Sequence, residues 1–142
     1  MAITSVADRF TLRRVDNTLY RDFLTNLNPH PDSKQLVTND NEDAVVRSIK
    51  NLILTDKFER PFQPTIGCRI KSFLFENISP QVTSAIKTEI ESTINDHEPR
   101  AKLLEVVVTP IEERNMYVVT VVFYTVNIEE PITFKVVLER VR

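Results

Sequence analysis

The chain has 142 residues, a formal net charge of -2 and ordinary apolar and charged contents, which predicts one domain with a sizeable core and leaves no basic footprint for nucleic acid. No apolar run is long enough to span a bilayer, and Met1-Ala2-Ile3-Thr4 begins no signal peptide, so synthesis in a cytoplasm and no membrane partner are expected. A single glycine, Gly67, excludes phosphate-cradling loops; a single cysteine, Cys68, excludes an internal disulfide; and His30, His97 and Cys68 show no metal-ligand spacing, so no cofactor and no metal are expected.

Residues 1–40 read as an N-terminal arm without a sustained period, ahead of a domain over 41–142. Leu19 to Leu24 fits either a helical turn or an extended arm, and Asn26 to Asp43, rich in Asn, Asp and Pro, reads as a surface loop. The first firm helix is expected from about Asn39–Asn41, with a capping Asn or Asp and with Glu42 and Asp43 in its first turn. Val45, Ile49, Leu52 and Ile53 share its apolar face, and it should stop near Thr55 or Asp56. A loop with Pro61 and Pro64 follows, in which Gly67 should take a positive φ or allow a close backbone approach. Cys68 reads as a small buried apolar residue rather than a nucleophile. Ile70 to Phe75 should form a short helix with Ile70, Phe73 and Leu74 in the core. Ser79-Pro80 is a helix-start signature, and Val82, Ile86, Ile90 and Ile94 recur every four residues as the inner stripe of a helix ending near His97.

At His97-Glu98-Pro99-Arg100-Ala101 the period changes from helical to extended. Pro99 disfavours a helical conformation at Glu98, so Glu98 and Arg100, two apart in an extended segment, should project to one side of a rigid corner. They are either a local surface ion pair or a contact for a partner. Lys102 to Thr109, Met116 to Val126 and Ile132 to Val141 read as three strands separated by Pro110–Asn115 and Asn127–Pro131, most simply an antiparallel meander. The fold class is therefore α+β, with helices packed on a three-stranded sheet. Both faces of the middle strand are apolar, so the face away from the helices needs the N-terminal segment or another protein over it. The last strand carries Ile132, Phe134, Val136 and Leu138 on one face and reads as an edge, a template for strand addition unless Lys135, Glu139 and Arg140 protect it.

Arg60-Pro61-Phe62, Pro64, Gly67-Cys68, Leu74-Phe75-Glu76-Asn77, Pro80 and Glu98-Pro99-Arg100 with the strands that follow resemble the small baseplate wedge proteins of contractile-tailed phages, from about Arg47 to Leu138; TssE of type VI secretion baseplates is a more distant relative. The resemblance implies a structural component of the virion tail baseplate, assembled in the host cytoplasm and present in several copies per symmetric baseplate. It implies that Glu98, Pro99 and Arg100 contact the helical core bundle of the larger wedge proteins. It also implies that the terminal strand, Ile132 to Leu138, seeds the tail sheath protein by strand exchange. A charge pair on a proline-fixed corner suits directed contacts with little ordering cost.

Two other readings attach to the same resemblance. Members of the family have been described as lysozyme-like, but in phage lysozymes the catalytic Glu is followed at a fixed short spacing by an Asp, and no Glu here has one. Glu98 beside Arg100 should stay ionised, which is wrong for a general acid, so no catalytic residue is expected. A regulatory anti-adaptor of the same fold is the other alternative.

Overall fold

The computed structural model describes residues 20–23, 27–29, 31–32, 34–125 and 130–140. Helices α1 (Asn41–Leu54), α2 (Ile70–Leu74) and α3 (Pro80–His97) form one layer over a three-stranded sheet, preceded by two short strands, β1 (Arg21–Phe23) and β2 (Thr38–Asp40). The sheet is an antiparallel meander in the order β3 (Ala101–Ile111), β4 (Met116–Thr125), β5 (Ile132–Glu139). The α+β class and the meander expected from the sequence are both present. Val126, Val141 and His30 lie outside the described residues, as do Leu19, Leu24 and most of the proposed arm.

The helices form where their apolar spacing and caps dictate. On α1, Ala44, Val45, Ile49, Leu52 and Ile53 are buried. Asp40 occupies its cap position without a side-chain cap bond, because its carboxylate is drawn to Arg21 at 2.8 Å. On α3 the Ser79 hydroxyl accepts from the Val82 N–H at 3.3 Å and Pro80 fills the first helical position, where a missing N–H costs nothing. Val82, Ile86, Ile90 and Ile94 face the sheet. They share one core cluster with Val106 of β3 and the inner row of β4, Tyr117, Val119, Val121 and Phe123, all fully buried. At roughly 1.5–3 kcal/mol for each buried large apolar side chain, this interface is the main source of stability.

Some elements differ from expectation. Thr38–Asp40 forms a strand paired with Arg21–Phe23, where the sequence reads as a loop, and the pair is tied to α1: Asn41 N–H donates to the Tyr20 carbonyl at 2.7 Å and Arg47 Nη1 to the Phe23 carbonyl at 3.2 Å. Strand β3 runs through Pro110 to Ile111 instead of stopping at Thr109. It lies on the edge of the sheet, so a missing N–H there leaves no ladder bond unmade. The β3–β4 register shifts between Leu103 and Glu105, and Leu104 is left 50% exposed.

The loop joining α1 to α2 is tight. Cys68 N–H donates to the Thr55 carbonyl at 2.8 Å, and Gly67, at φ +126°, lies against the same backbone. Phe58 and Phe62 in this loop each hold φ +69°, which costs a non-glycine residue about 1–3 kcal/mol. Cys68 is buried as expected, and burial pushes its thiol pKa up, which disfavours the thiolate.

Candidate functional site

Helix α3 ends at His97, and Glu98 caps it out of the helical region, at φ -126° and ψ 77°, as the following proline disfavours the helix there. Arg100 then returns to Glu98. Its Nε donates to one carboxylate oxygen at 2.6 Å and its Nη2 to the other at 2.7 Å, a two-pronged, charge-assisted pair. The guanidinium also lies over the Tyr20 ring, 5.4 Å from its centroid. Tyr20 is held by its own backbone bonds to Asn41, so β1, α1 and the α3–β3 corner meet at this point.

The two charges are not equally available. Glu98 is 2% exposed, the one buried acidic residue among the described residues, whereas the Arg100 side chain is 34% exposed and Pro99 lies at the surface. The two side chains lie together, as their spacing predicts, but only Arg100 is left at the surface. Glu98 is turned inward, and Ser48 of α1 is among the groups that favour its ionised form. Glu98 is a brace that fixes Arg100. What the surface offers is Pro99 and the remaining Arg100 nitrogen, Nη1, which bonds no described residue. With its charge balanced at contact distance, the corner suits short-range hydrogen bonding rather than long-range steering.

Burial alone would raise the Glu98 pKa, but the hydrogen bonds from Arg100, the polar Ser48 side chain and the guanidinium charge outweigh it and hold the carboxyl below the usual range. A lowered carboxyl pKa stabilises the fold above the unfolded value of 4.5, and that contribution is lost as pH falls through the folded value. Arg100→Ala reverses the sign, because it leaves a buried carboxylate without its cation. We expect a loss of about 2–3 kcal/mol at pH 7, less than for a fully buried pair since Arg100 is partly solvated. The deficit should shrink as pH falls toward 4, because the unpaired Glu98 takes up a proton. Urea denaturation at pH 7 and pH 4 checks this; an equal deficit at both would show that Glu98 does not carry it.

Strand β5 is the other candidate. Among the described residues it pairs only with β4. Val136 and Leu138 are buried, and Ile132 and Phe134 pack against the same core, so these four side chains are turned toward the chain's own interior. Arg140 N–H donates to the Asn115 carbonyl at 3.0 Å, which sets the parity of the β4–β5 ladder. The N–H and C=O groups of Ile132, Phe134, Val136 and Leu138 then point to β4, and those of Thr133, Lys135, Val137 and Glu139 point to the free edge. The sequence marks the apolar face correctly; any pairing surface is the backbone between those residues.

Among the described residues no group of His, Cys, Asp and Glu is placed to hold a metal ion, and no helix is long and apolar enough to cross a membrane. Tyr20 and Ser48, which complete the corner, carried no signal in the sequence, since neither lies near it along the chain.

The sequence model of the family described as baseplate wedge protein gp25 matches residues 39–130. Over 86 residues the chain is 36% identical to the baseplate wedge protein gp25 of Enterobacteria phage T4, covering 58% of this chain and 65% of that protein, so it spans just under two thirds of that relative's length. The fold is similar to that of a candidate tail lysozyme from Geobacter sulfurreducens, with a TM-score of 0.68 at 21% identity, covering 75% of this chain and 96% of the other. It is also similar to a chain of the anti-feeding prophage baseplate, with a TM-score of 0.60 at 23% identity and 87% of each chain covered.

Proposed function

This chain belongs to the baseplate wedge protein gp25 family, and on that premise we propose that it is a structural subunit of a contractile-tail baseplate wedge, docked to the helical bundle of the larger wedge proteins through the Glu98-Pro99-Arg100 corner. The observation that carries the site is the two-pronged Glu98 to Arg100 pair on a proline-fixed bend, braced by Tyr20. A donor held this rigidly loses little freedom on binding. Residues 41–142 form the wedge domain in this reading, and residues 1–40 an arm whose Tyr20–Phe23 stretch completes the corner. The free edge of β5 is a place where a strand of the tail sheath protein can add, through main-chain hydrogen bonds.

The resemblance to a candidate tail lysozyme raises the alternative of a hydrolase. The chemistry of the corner opposes it. A glycosidase needs a protonated carboxyl near neutral pH, whereas Glu98 is held ionised by Arg100. The test is co-elution of the purified chain with the other wedge proteins of the same genome, alongside a peptidoglycan-clearing assay. A stable complex without clearing is expected. Clearing that disappears in Glu98→Gln, or no complex at all, would overturn the proposal.

A further inference from the structure

The loop between α1 and α2 carries a surface that the Glu98 and Arg100 corner leaves unexplained. Phe58 is 77% and Phe62 101% exposed, and both hold φ +69°, a conformation that aromatic residues very rarely adopt. Such strain persists only where the surroundings impose it. Here Phe58 N–H donates to the Pro64 carbonyl at 3.0 Å, and Gln63 N–H to the Arg60 carbonyl at 3.4 Å. The Glu59 carboxylate accepts from the Asp56 N–H at 2.8 Å and pairs with Lys71 at 3.3 Å. Pro61 and Pro64 fix two further φ angles. The loop is thus preorganised around rings that bury little in their own chain. An aromatic side chain held in advance gives up less freedom on binding, and aromatic anchors of this kind centre protein interfaces.

Charge indicates the partner. Arg60 is exposed and enters no ion pair among the described residues. A cation beside an aromatic anchor suits an apolar pocket rimmed by carboxylates, because Asp56 and Glu59 already pair with Lys71, and Lys57 with Glu89, which leaves Arg60 as the charge this loop can offer. The geometry points to this loop as a second docking surface, with the Phe62 ring seated in an apolar pocket of another wedge protein and Arg60 meeting carboxylates at its rim. The identity of the assembly rests on the wedge reading above; the contact rests on the loop.

The test measures affinity of the full chain for the purified wedge complex of the same genome, with melting temperature in parallel. Phe62→Gly removes ring and strain together. Its melting temperature should equal or exceed that of the wild type while its affinity falls at least about tenfold, and Phe62→Leu should recover part of that loss. Arg60→Glu should weaken binding by roughly tenfold. Wild-type affinity in Phe62→Gly would overturn the inference and leave the wedge reading standing, and a lowered melting temperature would show the ring to be structural and overturn it equally. Tighter binding by Arg60→Glu would overturn the acidic rim. No binding by the wild type would overturn both readings.

Discussion

Ending the chain at Pro131 is expected to leave it unfolded, with no cooperative transition on heating or in urea. The cut removes β5, and with it buried Val136 and Leu138 and partly buried Ile132 and Phe134. The Phe134 ring also sits edge-on to Phe123, centroids 6.1 Å apart and planes at 79°. At roughly 1.5–3 kcal/mol for a fully buried side chain and less for the others, the loss is on the order of 5–9 kcal/mol, against about 5–15 for a whole domain. It also strips one side of β4, whose inner row is the centre of the core. A cooperative melt in the truncated chain would show that β5 is an accessory. Because deletion destroys the fold, the free edge needs a gentler probe. Lys135→Pro removes one outward N–H from an edge strand and should keep the melting temperature within a few degrees while blocking sheath addition. Normal sheath assembly on such a protein would refute the strand-exchange reading.

Gly67→Ala is expected to cost about 3–5 kcal/mol, lowering the melting temperature by roughly 10 °C or more. A β-carbon at this position would stand 2.7 Å from the Thr55 carbonyl oxygen and 2.8 Å from that of Asp56. Both neighbours are backbone and cannot swing aside, and φ +126° is itself closed to side chains. Relief by moving the loop would break the bond from Cys68 N–H to the Thr55 carbonyl and pull Cys68 and Ile70 from the core. A change of less than about 1 kcal/mol would mean that the loop path is not the one described.

The sequence shows best what short-range physics decides. The α3 stripe from Val82 to Ile94, the Ser79-Pro80 start and the stop before Pro99 are set by neighbours within a few residues. The β4 alternation and the need for a glycine at 67 are legible for the same reason. The corner is only half legible. Spacing places Glu98 and Arg100 together, but which of them is covered depends on Ser48 and Tyr20, brought in by α1 and β1 from far along the chain. Likewise the alternation of β5 identifies its apolar face, and only its register against β4 reveals which backbone groups are left free. The exposure and positive φ of Phe58 and Phe62 are not legible, because the loop bonds that impose them, such as Phe58 N–H to the Pro64 carbonyl, follow no repeating pattern in the sequence.

The most direct measurement of the central claim is the affinity of the wedge complex for wild type and Arg100→Lys. Lysine keeps the charge beside Glu98, so folding should be largely preserved, but it lacks the planar fork and the outward Nη1 donor. Binding weakened at least about tenfold by this one change, with a cooperative urea transition retained, is the predicted result. Equal affinity of the two proteins would contradict the assignment of the Glu98-Pro99-Arg100 corner as the wedge contact.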